Sequence, residues 1–335
     1  MSTEATSEVH GSNVDPADDF VHQPARGIDR WAENIQWNVR NAEGLGVILH
    51  AGTMLRDPLL WHVVVTVTTP GGAIYSAKTV AAGAGNFGPA GAHLRTIEPF
   101  KRWRLQFHGG MLDVTGHRGG TGLIADDQHT VVHIDLDLSA LYPVWIPEGS
   151  TQFGDWGRFH HEQAVTVNGS ISIDGAVHEL SGIGHRDHSI GPRDMSKLRT
   201  AFWGNGVFES GWAFAAMHGQ YAHADFQRAA LFDADGTHDA TMIDWPGLTS
   251  AVGDPAEFSV ELRSADRTVN LQGRLRGGMS FTVTDGAEFC LGTDLGRPDR
   301  YFLTNYFVDW FCEGERGHGY LDRGSLIRLL NEEEQ

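Results

Sequence analysis

The sequence predicts an all-β protein, two tandem antiparallel barrels or sandwiches with few short helices, and three observations carry that prediction. Apolar and polar residues alternate with a period of two in one segment after another, the pattern of strands with one buried face. Turn signals separate these segments at about 8 to 12 residues, as in hairpin-linked sheets. Glycine supplies 42 of the 335 residues, well above a typical share of roughly 7%, and such an excess means many tight turns. Long amphipathic crossover helices are missing, as are GxGxxG and Walker-type phosphate loops, so a doubly wound α/β fold is excluded. A chain of this length exceeds what one small core usually serves, and two domains follow.

In chain order, residues 1–16 are polar and acidic and read as a disordered lead. A first β domain is expected over 17–183 and a second over 184–335. Residues 29–39 fit either a helix, through Trp31, Ile35 and Val39, or a strand, through Trp31, Glu33, Ile35 and Trp37. Trp61, Val63, Val65 and Val67 form one strand face, Pro70-Gly71-Gly72 turns the chain, and 73–80 returns as a hairpin. A glycine-rich loop covers 81–91. Trp103, Leu105 and Phe107 alternate with polar residues, as do Val132, Ile134, Leu136 and Leu138. Asn168-Gly169 and Asp174-Gly175 both read as hairpin turns. A short helix over 193–198 is expected between the halves. Segments 213–217, 226–232, 258–262, 269–275 and 281–284 are strands of the second half, and Tyr306, Val308, Trp310 and Cys312 alternate after them. No repeat with a period of 20 to 50 residues is visible.

Hydrophobic residues make up 41% and charged residues 20%, an ordinary globular balance. The net charge of −18 argues against nucleic-acid binding, which needs a basic stripe, and against docking on anionic lipid. No apolar run reaches the ~20 residues of a membrane span. The N-terminus lacks the apolar region of a signal peptide, so a cytoplasmic location is expected. Cys290 and Cys312 form no CxxC pair and read as buried thiols.

The chain is organised around residues 182–194, GIGHRDHSIGPRD. A segment so rich in charge, glycine and proline is a poor interior for a regular element, so it reads as a site or as an ionic lock between the domains. If it is extended, His185, Asp187 and Ser189 face one way and Arg186 and His188 the other. One face would line a pocket and the other would tie the halves together, with Arg193 paired to Asp187 or Asp194. A metal is not expected, although the chain has 18 histidines. His160 and His161 are adjacent, His185 and His188 are three apart, and only His223 and Asp225 have the parity of strand ligands; no HxH or HExxH occurs. No GxSxG nucleophile elbow occurs either. Aromatic residues crowd 202–221 and 301–311, and both faces of the latter strand are aromatic. Rings on such faces could enclose a small apolar ligand or shield a carbocation.

GIGHRDHSIGPRD and the aromatic run after it, with residues 98–105 (EPFKRWRL) and 317–322 (GHGYLD), resemble the AttH/CrtC-like superfamily. That group carries a GxGxRDxSWGxR-type motif, and Ile190 here stands at its tryptophan; Trp203 is the candidate to take that ring's part. The resemblance implies two calycin-like (lipocalin-like) barrels with the ligand site in or between them, and chemistry on hydrophobic substrates without a cofactor. Relatives in the group include carotenoid 1,2-hydratases, kievitone hydratase and pericyclic cyclases. The resulting expectation is a hydratase, dehydratase or isomerase acting on a terpenoid-like or polycyclic substrate. Asp187 would be the general acid, His188 or Arg186 would position water or the departing oxygen, and Trp203, Phe208, Trp212, Arg193 and Tyr306 would bind substrate. The alternatives are a carrier of an apolar small molecule and, third, a metal-dependent β-barrel oxygenase.

Overall fold

The computed structural model of the chain describes residues 14–24, 26–82, 91–115, 122–123, 129–147, 159–221, 225–245 and 256–332. Most of the expected lead, most of the glycine-rich loop and His223 therefore lie outside the described residues. The strands in chain order are β1 (Trp31–Arg40), β2 (Gly46–Met54), β3 (Asp57–Thr68), β4 (Ile74–Ala82), β5 (Ala92–Glu98), β6 (Arg102–Asp113), β7 (Gly122–Leu123), β8 (His129–Ala140), β9 (Phe159–Ile173) and β10 (Ala176–Pro192). They continue with β11 (Leu198–Phe208), β12 (Ala213–Tyr221), β13 (Asp225–Asp233), β14 (Gly236–Asp244), β15 (Glu257–Ser264), β16 (Thr268–Val283), β17 (Phe289–Thr293), β18 (Tyr301–Cys312) and β19 (Glu315–Leu326). A 3₁₀ turn at Pro16–Asp19 precedes them and a short α-helix, α1 (Ile327–Glu332), follows.

The strands build two closed eight-stranded antiparallel barrels. In the first, β1 to β4, β6, β8, β9 and β10 follow one another around the ring; β4 meets β6, and the last strand, β10, returns to pair with β1. The second repeats this plan with β11 to β16, β18 and β19, and β19 closes on β11. Among the described residues every strand of each ring pairs with a neighbour on both sides, which is what closure achieves. Each lumen is filled. Trp37, Trp61, Trp103, Leu105 and Leu136 are among those packing the first, and Phe202, Phe214, Leu231, Trp310 and Leu321 the second.

Several expectations change. Of the two readings open for residues 29–39, the strand holds from Trp31 onward, because Ile35, Trp37 and Val39 all join the first barrel's core. Asn168-Gly169 is no turn: β9 runs straight through it, and a side chain at Gly169 would start 2.1 Å from the Asp135 carbonyl oxygen of β8. The reversal occurs only at Asp174-Gly175, both with positive φ. Residues 269–275 and 281–283 belong to one strand, β16, with a register shift between Leu275 and Gly278. No helix forms at 193–198, which is a turn into β11.

The domain boundary also moves. β10 belongs to the first barrel as far as Pro192, so the chain crosses between Pro192 and Leu198 rather than at 183/184. The charged segment is a regular strand interior after all. Its inner face fills the first barrel and its outer face meets the second, while its backbone groups pair with β1 and β9. Gly184 makes that possible, since a Cβ there would lie 2.1 Å from the Asn38 carbonyl oxygen of β1.

Candidate functional site

Between the barrels lies a cavity of about 160 Å³, lined from both sides. The outward residues of the first barrel, Asn34, Gln36, His50, His160, Asp187 and Ser189, form one wall. Ala201, Trp203, Met217, Tyr301, Leu303 and Asp322 of the second form the other, and Arg193, Met195 and Phe289 close the ends. His50 lies flat against Phe289, with ring centroids 4.0 Å apart, so one wall stacks on the other. The lining is mainly apolar, with a few convergent polar groups, the usual make-up of a small-molecule site.

Alternation along β10 decides what reaches this cavity. Asp187 and Ser189 do. Ser189 accepts a close hydrogen bond from Arg193, and Arg193 in turn lies in the field of Asp187. Arg186 and His188 point the other way, into the first barrel, which corrects their assignment to the substrate. Arg186 pairs with Asp19 at 2.5 Å and sits over Trp103 and Trp37, 4.5 and 5.2 Å from the ring centroids. His188 Nε2 lies 2.8 Å from Glu33, whose carboxylate also accepts the backbone N–H of His22 at 3.0 Å. His22, Glu33 and His188 are, among the described residues, a set of three groups close enough to hold a metal. They face the barrel interior rather than the cavity, and their hydrogen bonds to one another already satisfy the carboxylate.

Of the residues assigned to substrate, Trp203 and Arg193 line the cavity. Phe208, Trp212 and Tyr306 do not. Phe208 and Trp212 stack on each other at 3.9 Å in the second barrel's core cluster, where the Trp212 indole donates to Glu315 at 3.0 Å. Tyr306 is buried and has the strand parity of Val308 and Trp310, which pack the second lumen. Tyr301, with the opposite parity on β18, reaches the cavity instead.

Asp187 and Asp322 line the cavity, and a third buried carboxyl, Glu162, is reached through the lining residue His160. His160 Nε2 stands 3.0 Å from an oxygen of Asp187 and 3.0 Å from an oxygen of Glu162, and the Trp203 indole donates to that same Glu162 oxygen at 2.8 Å. One ring nitrogen facing two carboxyls can satisfy both only if protons are shared among the three groups. Asp322 comes from the second barrel and accepts from Asn305 at 3.3 Å. Burial raises all three acids. Asp187 rises to about 6, with the Glu162 charge adding to burial and His160 and Arg193 opposing it. Glu162 rises to about 8, opposed by the Trp203 hydrogen bond. Asp322 rises to about 8, with the Asp187 charge adding to burial. Burial lowers His160 in the opposite sense. At neutral pH the wall therefore holds protonated acids beside a carboxyl near its midpoint, a combination that can give and take protons.

Sequence reasoning missed Asp322, Glu162, His160 and Tyr301. The signal for Asp322 was present, because GHGYLD repeats the GxGxxD spacing of the central segment.

The profile of the family described as "Domain of unknown function (DUF7064)" matches residues 15–321. The chain belongs to that family. No curated protein matches the sequence. Solved structures do match its fold. A protein described as AttH from Nitrosomonas europaea superposes with a TM-score of 0.59 at 14% identity, over 90% of this chain and 94% of that one. Kievitone hydratase from Nectria haematococca gives 0.53 at 10% identity, over 90% and 93%. CghA with Sch210972 gives 0.52 at 12% identity, over 91% and 93%. The double barrel is thus the AttH/CrtC-like fold, and that fold includes a hydratase. Among the described residues no helix is long and apolar enough to cross a membrane.

Proposed function

We propose that this family member is a hydratase, dehydratase or isomerase that moves protons on a hydrophobic substrate held between the barrels. The observation that carries the reading is that Asp187 and Asp322, one from each barrel, line a single apolar cavity as carboxyls raised toward neutral pH. Asp322 donates a proton to an alkene or a departing hydroxyl. Asp187, with its proton shared through His160, takes one from the adjacent carbon or from an attacking water. Trp203 and Tyr301 face the carbon that becomes cationic, where a ring face stabilises positive charge. Proton transfer from placed groups supplies about 10²- to 10⁴-fold, and exclusion of bulk water strengthens each charge interaction.

The cavity also limits the substrate. An engineered cavity of roughly 150 Å³ accommodates benzene, so this one encloses one ring system, and a long terpenoid chain would exceed it. The test is incubation in D₂O with cyclic terpenoid alkenes and tertiary alcohols, followed by mass spectrometry for deuterium incorporation. Incorporation that disappears in Asp187→Asn supports the reading. Binding without incorporation for every compound bound would instead make the protein a carrier.

A further inference from the structure

A second cleft, of about 370 Å³, opens between the barrels near the far end of β1, and its chemistry is unlike that of the first. Arg40, Arg276 and Arg316 line it around Asp309, with Glu43 and Thr68 at the side. Asp309 is fully buried. It accepts from Arg40 at 3.0 Å, Arg276 Nε at 2.6 Å and Arg316 at 3.1 Å, and His318 Nδ1 lies 3.3 Å away. One guanidinium would neutralise one carboxylate; three gather here, in a chain whose net charge is −18. Glu43 is the other acid in the lining, so the cleft keeps an excess of positive charge.

The three cations are arranged in depth. Arg40 is buried behind, whereas Arg276 and Arg316 keep 40% and 39% of their side chains exposed and face the opening. Arg316 Nε is buried and donates to nothing among the described residues. Arg40 is held below its usual range by burial and by the charges of Arg276 and Arg316, so the cations repel one another despite Asp309. An added anion would relieve that repulsion.

We propose that this cleft binds the oxyanion group of a small ligand, a phosphate or a carboxylate, between Arg276 and Arg316 with Arg40 behind them. Planar guanidinium donors match both oxyanions in two-point geometry. The site is separate from the apolar cavity. Ile48, Phe307 and Tyr320 pack together with Trp203 between the two, and Gln36 and Arg40 on β1 are about 13 Å apart along the strand. Arg40 comes from the first barrel and Arg276 and Arg316 from the second, so a bound anion holds both barrels and raises their resistance to unfolding.

Calorimetric titration and thermal melting of the full chain test this, using inorganic phosphate, pyrophosphate and succinate at an ionic strength fixed with sodium chloride. At least one should bind saturably and raise the melting temperature. The Arg276→Gln/Arg316→Gln double variant should weaken that binding by at least about tenfold. Phosphate or pyrophosphate alone would identify a phosphorylated ligand, and succinate alone a carboxylate. Should the double variant not fold, Arg316→Gln, at a side chain more than a third exposed, replaces it. Absence of saturable binding up to about 10 mM, where even a millimolar site fills, or equal binding by the variant, overturns the proposal.

Discussion

Strands β10 and β19 close their barrels in the same way, and comparing them separates what the two halves share from what each needs for itself. Gly182, Gly184 and Asp187 on β10 recur 135 residues later as Gly317, Gly319 and Asp322 on β19. Gly184 crosses the Asn38 carbonyl and Gly319 the Asn205 carbonyl, where a Cβ would lie 2.1 and 1.9 Å away. Both aspartates face the cavity. The inner faces differ. Arg186 and His188 bind the buried acids Asp19 and Glu33 inside the first barrel, whereas their counterparts on β19 are Leu321, in an apolar core, and Arg323, fully buried over the Phe258 ring. The outward pattern is common to the halves, and the inward pattern is particular to each lumen.

The strongest way to break the comparison is through the aspartates. Asp187→Asn and Asp322→Asn should each lower turnover by about 10²- to 10⁴-fold; an Asp322→Asn enzyme with full activity would leave the first barrel's acid acting alone. Arg186→Leu comes next. It strands the Asp19 carboxylate and should cost about 3–5 kcal/mol in urea unfolding, with ligand affinity in the cavity kept by the protein that remains folded. Gly184→Ala and Gly319→Ala should destabilise by similar amounts, about 1–3 kcal/mol each; a large disparity in thermal melting would mean that the two closures are not equivalent.

The fourth prediction concerns pH. A carboxyl raised from 3.8 to about 8 keeps its proton in the folded chain after the unfolded chain has lost it. The folded state then binds more protons, and stability falls as pH rises from about 4 to 8. Asp322→Asn removes that loss. The variant should gain on the wild type steadily across this window and lose the advantage near pH 4. A pH-independent difference in chemical denaturation would show that Asp322 titrates normally. The smallest effect is expected at Trp212, remote from the cavity. Trp212→Phe should cost about 1 kcal/mol through the lost hydrogen bond to Glu315 and leave turnover unchanged.

The architecture was legible because alternation and turn residues are local properties. Trp61 to Val67 and the Asp174-Gly175 reversal follow from neighbours in sequence. Parity also told Asp187 from Arg186. It could not say which face of a strand meets the other barrel, since in a closed barrel packed against a second one both faces are buried. That is why Tyr306 and Phe208, core residues, resembled ligand-binding rings, and why Arg186 and His188 resembled catalytic groups. Asp322 escaped for another reason. Its repeat has a period of a whole domain, far longer than solenoid-scale repeats.

Each aspartate sits on the strand that completes its ring. Trp31 pairs with Pro192 and Thr200 with Ser325, so both closures join distant parts of the chain, the kind of contact that forms slowly. Neither acid reaches its place until nearly all of its barrel has been synthesised and zipped shut. An incompletely folded chain therefore lacks the paired aspartates, and the proton chemistry proposed for the cavity is confined to molecules in which both rings are whole.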